Sequence, residues 1–385
     1  MSARAFRIAA IIVALTAAAC SSGAGEQPAG ESIAQSTTEA APGVSIEIEP
    51  VVPESRPVLQ LEQVCPHRIV IQVSGLPTPR LGPLYTLLAP GAEIADDGRS
   101  VSGPLRRPGR PDDDVILEIR TGGPSVSFLP AIEVGANDAS IHLVTTSIAH
   151  LARRLDSKAS AVLTLSESND RMLMWSSVAQ PGVSDLDDLG SSGVEIRHVT
   201  DELFIEFLVA KGVLDPNQLV PGGSDAIAAF ISEAGGIARQ GDSIIDPLLF
   251  ATLPEWSGPL TIGEASSRGW LDIEPVLATT GDNRLESSCL DQIVPAIQQA
   301  IPIYAADPVA VNQLMSEIGE KVDPFSLVSF SVMNAAAETL TVAESPGTFD
   351  LERVEAFLPA LASAIDADVR TIDDIIQIAH LDPTD

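Results

Sequence analysis

Few side chains in this sequence are of a kind or spacing that does covalent chemistry. The five histidines, His67, His142, His150, His198 and His380, show no HExxH or other paired spacing. His142 and His150 fall eight residues apart in a strand-to-helix context, which is not a metal-ligand spacing. Gly122-Gly123-Pro124-Ser125 lacks the second glycine of a nucleophile elbow, and no phosphate-binding loop occurs. Asp112-Asp113-Asp114 closes a stretch, residues 92–114, rich in Gly, Pro, Arg and Asp. That stretch reads as an exposed loop with solvated Arg99, Arg106, Arg107 and Arg110. No metal and no cofactor are expected. What remains is the chemistry of reversible binding. Ser74 and Gly75 follow the alternating run RIVIQV (68–73), and Thr145, Thr146 and Ser147 follow the run at 140–144. Hydroxyls and free helix N–H groups at such places can hold a polar ligand, although Thr146 or Ser147 would also serve as a plain N-cap.

These groups need elements to position them, and the pattern between 176 and 253 predicts which. VSDLDDL starts a short acidic helix and GVEIRHV (193–199) has strand length. DELFIEFLVAKG is an amphipathic helix, with Thr200 as N-cap, Asp201 and Glu202 in its first turn and Gly212 past its end. A helix SDAIAAFISEA and a strand-like run DSIIDPLLF follow. Upstream, strands are predicted at 68–73, 115–120, 140–144 and 161–165, and a helix at 128–134. RMLMWSS (171–177) and 275–279 are predicted to cross between two lobes. This β-α-β spacing implies parallel sheets with covered faces.

The stretch 183–250 resembles one lobe of a type 2 periplasmic binding protein of the sulfonate, thiamine-pyrimidine-precursor and nitrate class. The matching residues are Val183 to Leu189, Val194 to Val199, Thr200, Gly212-Val213-Leu214-Asp215-Pro216 and Ser243 to Phe250, with Asp246-Pro247 where the family has Glu-Pro. Gly82-Pro83-Leu84-Tyr85 and the stretch from Gly122 to Ser147 resemble the family's first lobe. The segment Cys289 to Ile318 resembles that of actinobacterial extracytoplasmic relatives at Cys289, Leu290, Val294, Pro295, Gln298, Gln299, Tyr304, Asp307, Pro308 and Asn312. The resemblance implies an α/β fold of two lobes, each a mostly parallel sheet flanked by helices, with the ligand cleft between them. It puts lobe 1 at 66–169, lobe 2 at 170–273, and a return to lobe 1 with C-terminal helices at 274–385. The candidate ligand-binding residues are Ser74, Gly75, Tyr85, Gly123, Thr145, Thr146, Ser147, Trp175, Thr200 and Asp246.

The N-terminus reads as a targeting segment. Arg4 and Arg7 precede IAAIIVALTAAA, an apolar run of about a dozen residues, enough for a signal peptide and too short to span a bilayer. It ends at Ala17-Ala18-Ala19-Cys20-Ser21-Ser22-Gly23, which resembles a bacterial lipobox without its usual leucine. The resemblance implies removal of residues 1–19 and lipidation of Cys20. The Ser-, Ala-, Gly-, Glu- and Pro-rich stretch 20–57 lacks the apolar density to fold and reads as a tether to the outer face of the cytoplasmic membrane.

The composition agrees with such a partner set. The chain has 53 acidic and 22 basic residues, a net charge of −31, so nucleic acid is excluded as a partner. The expected function is that of an extracytoplasmic solute-binding lipoprotein. It would be a monomer that closes on a small molecule and passes it to an ABC permease with its ATPase. A non-transport sensor or surface lipoprotein is an alternative. So is an enzyme on the same fold, of the pyrimidine or menaquinone-precursor kind, although no catalytic constellation stands out. With Cys20 lipidated, Cys65 and Cys289 are left as a disulfide or as two buried thiols. The acidic chain and the carboxylates opening the helix at 201 favour a neutral or cationic organic ligand over an anion.

Overall fold

The apolar run of β1 (Arg68–Gln72) has Ile69, Val70 and Ile71 all buried, as in a strand covered on both faces. It belongs to a computed structural model that describes residues 60–377, apart from 89, 111, 167–170, 200–201, 223–225, 282–284, 324–326 and 344 and the side chains of 112 and 113. The signal and tether segments with Cys20 therefore lie outside the described residues, as do Thr200, Asp201 and His380.

In chain order, the first lobe contains α1 (Leu61–Val64), β1, a 3-10 turn Pro79–Leu81, α2 (Gly82–Thr86), β2 (Glu93–Ile94), β3 (Ser100–Arg106), β4 (Asp112–Arg120), α3 (Ala131–Asn137), β5 (Leu143–Thr146), α4 (Ile148–Arg153) and β6 (Ala161–Thr164). The second lobe contains β7 (Arg171–Ser176), α5 (Leu186–Ser192), β8 (Ile196–His198), α6 (Leu203–Ala210), β9 (Leu219–Pro221), α7 (Ala226–Ser232), β10 (Ala238–Asp242), α8 (Asp246–Thr252) and β11 (Leu260–Glu264). The chain then returns through β12 (Val276–Thr279) to α9 (Ser287–Ala306), α10 (Val309–Val322), α11 (Phe330–Ala337), α12 (Leu351–Ile365) and α13 (Ile372–Ile375).

Each lobe is built on one sheet. The first runs β2–β3–β4–β1–β5–β12–β6 and the second β11–β7–β10–β8–β9. Both have a parallel centre, β4–β1–β5 and β10–β8–β9, to which the crossing strands β7 and β12 add antiparallel pairs. The α/β alternation requires that parallel centre, because parallel neighbours need a crossover, here mostly helical.

Four local expectations are corrected. Residues 92–114 are not a loop but an antiparallel extension of the first sheet: β3 pairs with β4 from Ser100↔Arg120 to Arg106↔Asp112. Gly103 and Pro104 sit inside β3, where the register shifts, near the short edge strand β2 that tolerates a missing donor. Arg107 is buried and donates to Gln292 Oε1, rather than being solvated. DSIIDPLLF is not a strand. The strand is the more polar ARQGD of β10, and the apolar run forms α8, which takes Pro247 in its first turn, where a missing N–H costs nothing. Thr145 and Thr146 end β5, and only Ser147 caps the next helix.

The return segment fixes the first lobe. Cys65 and Cys289 form a disulfide, with Cα atoms 4.9 Å apart, that ties the segment before β1 to α9. The Tyr304 ring of α9 lies against Gly82, where a Cβ would come within 2.2 Å of it. No helix among the described residues is long and apolar enough to cross a membrane.

Candidate functional site

In open α/β sheets the ligand crevice lies beyond the carboxyl ends of the parallel strands. In the first lobe those ends deliver residues 73–75, 121–123 and 146–147; in the second they deliver Val199 and the turn after Asp242. Both sets lie beside the crossings. Val276, which opens β12, pairs with Thr146 and Thr164, and Arg171, which opens β7, pairs with Asp242. The lobes also touch there through an ion pair, Arg80 Nη1 to Asp242 Oδ2 at 3.2 Å.

The first-lobe wall is held from within. The Thr145 hydroxyl accepts from Ser74 N at 2.8 Å and donates to Ser74 Oγ at 3.3 Å. Gly122 N donates to Gly75 O at 2.9 Å, locking the loops after β4 and β1 together. Ser147 Oγ accepts from His150 N and lies 3.0 Å from His150 Nδ1. Thr145 and Ser147 are thus buried and committed, and Thr146 is nearly buried, while Ser74 is exposed and Gly75 and Gly123 partly so. Gly123 needs its glycine for a φ of +60°.

Three of the expected residues, Trp175, Tyr85 and Asp246, are buried, and a fourth lies outside the described residues. Trp175 is fully buried, with Nε1 donating to Val183 O, in a strand flanked on both sides by β11 and β10. Tyr85 is buried under α9 and α10, and its hydroxyl has no hydrogen-bond partner among the described residues. Asp246 is buried at the start of α8, accepting from Asp242 N at 2.6 Å and pairing with Arg239 at 3.2 Å. Burial raises its pKa, against the opposing pull of Arg239. Thr200 lies outside the described residues.

Sequence reasoning missed the charged cluster where the chain crosses between lobes. Arg171 binds Glu274 through two hydrogen bonds, Nε to Oε2 at 2.9 Å and Nη2 to Oε1 at 2.7 Å, and reaches Glu202 at 3.4 Å. Glu202 is the backbone N-cap of α6, but its carboxylate serves Arg171 instead of the helix. Burial pushes Glu274 up, but the charge of Arg171 outweighs it and the carboxyl is held low. Behind this pair, burial and then Glu274 push Asp272 up to about 7. Asp272 Oδ1 accepts from Ala149 N and Ile273 N, each at 2.9 Å. Burial also lowers the pKa of His150, against the opposing pull of Glu202 and Glu274. Asp272 Oδ1 is taken up by these backbone amides rather than by the imidazole, and Ser147 is buried. The three therefore form no nucleophile–base relay. Their one sequence signal is charge inside apolar strand context, at Arg171 and Glu274.

Among the described residues no group of three or more His, Cys, Asp or Glu side chains could hold a metal ion. An open groove of about 350 Å³ runs along α6 and β9, lined by Ile205, Val209, Leu219 and Pro221 with His198, Glu206 and Glu202, the last shared with the Arg171 cluster.

No protein-family model matches the sequence, and no curated protein matches it. Solved structures do match the fold. The alkanesulfonate-binding protein SsuA from Xanthomonas axonopodis pv. citri, bound to MOPS, is similar at 12% identity, over 81% of this chain and 98% of that one, with a TM-score of 0.51. The ligand-binding component of an ABC-type import system from Staphylococcus aureus, solved with zinc bound, is similar at 13% identity over 83% and 99%, with a TM-score of 0.50. The chain has the two-lobed α/β fold of these binding proteins.

Proposed function

We propose that the chain is an extracytoplasmic solute-binding protein of an ABC importer, which closes its lobes on a small organic molecule and delivers it to a membrane permease. The observation that carries this reading is the apposition of two sets of parallel-strand carboxyl ends beside the two crossings, where such folds receive ligands. The ligand would stabilise the closed arrangement by binding it better than the open one. The role is one of binding, without catalysis.

The reading includes lipidation at Cys20 and anchorage on the outer face of the cytoplasmic membrane. Substituting Cys20→Ala should abolish incorporation of labelled lipid and release the protein. Unchanged labelling would sink the anchor.

The ligand is expected to be neutral or cationic. The arginines best placed to clamp an anion all have carboxylates beside them: Arg80 with Asp242, Arg171 with Glu202 and Glu274, Arg120 with Glu118 and Asp138, and Arg197 with Glu195. Native mass spectrometry of the untagged ectodomain should reveal a co-purified small molecule. Calorimetric titration with alkanesulfonates, nitrate, and neutral and cationic heterocycles then tests the charge. Tight binding of an anion alone would refute it.

A further inference from the structure

α11 is a helix with two employers. Its Met333 and Ala337, one turn apart, belong to the main core, where α11 packs on α10 and on the Pro79–Leu81 turn of the first lobe. A buried relay, Tyr304 Oη to Asn312 Oδ1 at 2.8 Å and Asn312 Nδ2 to Asn334 Oδ1 at 2.7 Å, pins it to α9 and α10. The adjacent stripe, Val332 and Ala336, joins a separate cluster with Ile245 and Leu249 at the start of α8, in the second lobe. All four side chains are nearly or fully buried. The Pro79–Leu81 turn that α11 touches also carries Arg80, whose ion pair reaches Asp242 just before α8.

A different C-terminal helix, α12, joins the lobes at the crossing itself. It packs on α4 and α6, with Phe357 against Trp270 and Phe207, and its Arg353 donates to Leu271 O and Asp272 O. A contact on the crossing can act as a pivot. A contact between α11 and α8 joins the lobes away from the crossings, since α8 follows a strand of the second sheet while α9 and α10 hold α11 to the first lobe.

We propose that α11 is an apolar latch between the lobes, so that they separate only when Val332 and Ala336 leave Ile245 and Leu249 and the Arg80–Asp242 pair opens. This deepens the cleft-binding reading and rests on it for its purpose: a latch would hold the unliganded protein closed and make ligand entry wait on its release. The latch itself is tested without ligand. Amide hydrogen exchange of the purified full chain is compared with that of Ala336→Glu and of Leu249→Ala, which weakens the same contact from the α8 side without adding charge. Both variants should speed exchange about tenfold or more in α8 and the Pro79–Leu81 turn while α6, α12 and the strands of both sheets keep their protection, because a local opening loses a buried contact. Unchanged protection in α8 would overturn the proposal. So would equal loss in α6 and α12, which would make α11 part of one indivisible core. Neither result depends on whether a small molecule co-purifies, so the latch and the cleft reading can fail separately.

Discussion

The guanidinium of Arg171 and the carboxylate of Glu274 form a two-point ion pair, at 2.9 and 2.7 Å, between residues 103 positions apart in the sequence. One opens the strand that enters the second lobe, and the other precedes the strand that leaves it, so a single pair ties both crossings. Replacing Arg171 by glutamine should leave Glu274 and Glu202 without their cation in a poorly solvated place. Removing one partner of a fully buried pair costs about 3–5 kcal/mol, and the quarter of the Arg171 side chain left exposed lowers the expectation to about 2–4 kcal/mol. Urea unfolding at neutral pH, with the disulfide intact, measures it. A midpoint within error of wild type would show that the pair contributes nothing net.

Asp272 gives a pH dependence of known sign. Its folded pKa is raised to about 7, first by burial and then by Glu274, above the value of about 3.9 expected for an unfolded aspartate. The folded state therefore binds the extra proton, and stability is highest below the unfolded value and falls as pH rises from about 4 to about 7. His150 acts in the opposite sense below its unfolded pKa of about 6.5, because burial lowers it. The difference between wild type and Asp272→Asn isolates the first effect. An asparagine Oδ1 still accepts from Ala149 N and Ile273 N. The variant should gain stability relative to wild type as pH rises from 5 to 8. A pH-independent difference in thermal midpoint would refute the assignment.

How much of this the sequence disclosed depends on the range of the interactions. The β1 strand, the Gly122-Gly123 turn, the helix opening at Asp185 and the N-cap at Ser147 are local signals, written in residues within a turn of each other, and the structure has each of them. The run before Phe250 misled because a short apolar segment fits a strand or a helix equally, and Pro247 decides for the helix only if it is placed in the first turn. The hairpin at 100–120 was hidden because Gly103 and Pro104 look like loop residues unless the strand lies near a sheet edge. The cluster of Arg171, Glu202, Asp272 and Glu274 left only the trace of charge in apolar strand context at Arg171 and Glu274, since its members meet only when two crossings are brought side by side. The type of Trp175 is likewise visible in sequence, while its burial is set by neighbours on β10 and β11.

The disulfide should be seen chemically. Under denaturing, non-reducing conditions, Cys65 and Cys289 should resist alkylation and become reactive only after reduction. In the chain-entropy model a loop this long gives an upper figure of about 5 kcal/mol. Alkylation of both Cys65 and Cys289 before reduction would disprove the bond.

The last prediction concerns the wall of the cleft. A Cβ at Gly122 would lie 2.4 Å from Val73 O and 2.5 Å from Ser74 C, both backbone atoms that cannot rotate aside. Gly122 also donates to Gly75 O, so the loops after β1 and β4 move together or not at all. Gly122→Ala must therefore push the Ser74–Gly75 turn away from β4 and strain the Ser74 N to Thr145 Oγ1 bond behind it. Overpacking of this kind costs about 1–3 kcal/mol. Gly123→Ala meets nothing nearer than 3.8 Å and suffers only from its positive φ, so it should cost less than Gly122→Ala. Thermal unfolding ranks the two. If the first-lobe wall holds the ligand, Gly122→Ala should also reduce the occupancy of any co-purified molecule in native mass spectrometry. Wild-type occupancy in a variant that is measurably destabilised would move the binding site away from Ser74 and Gly75.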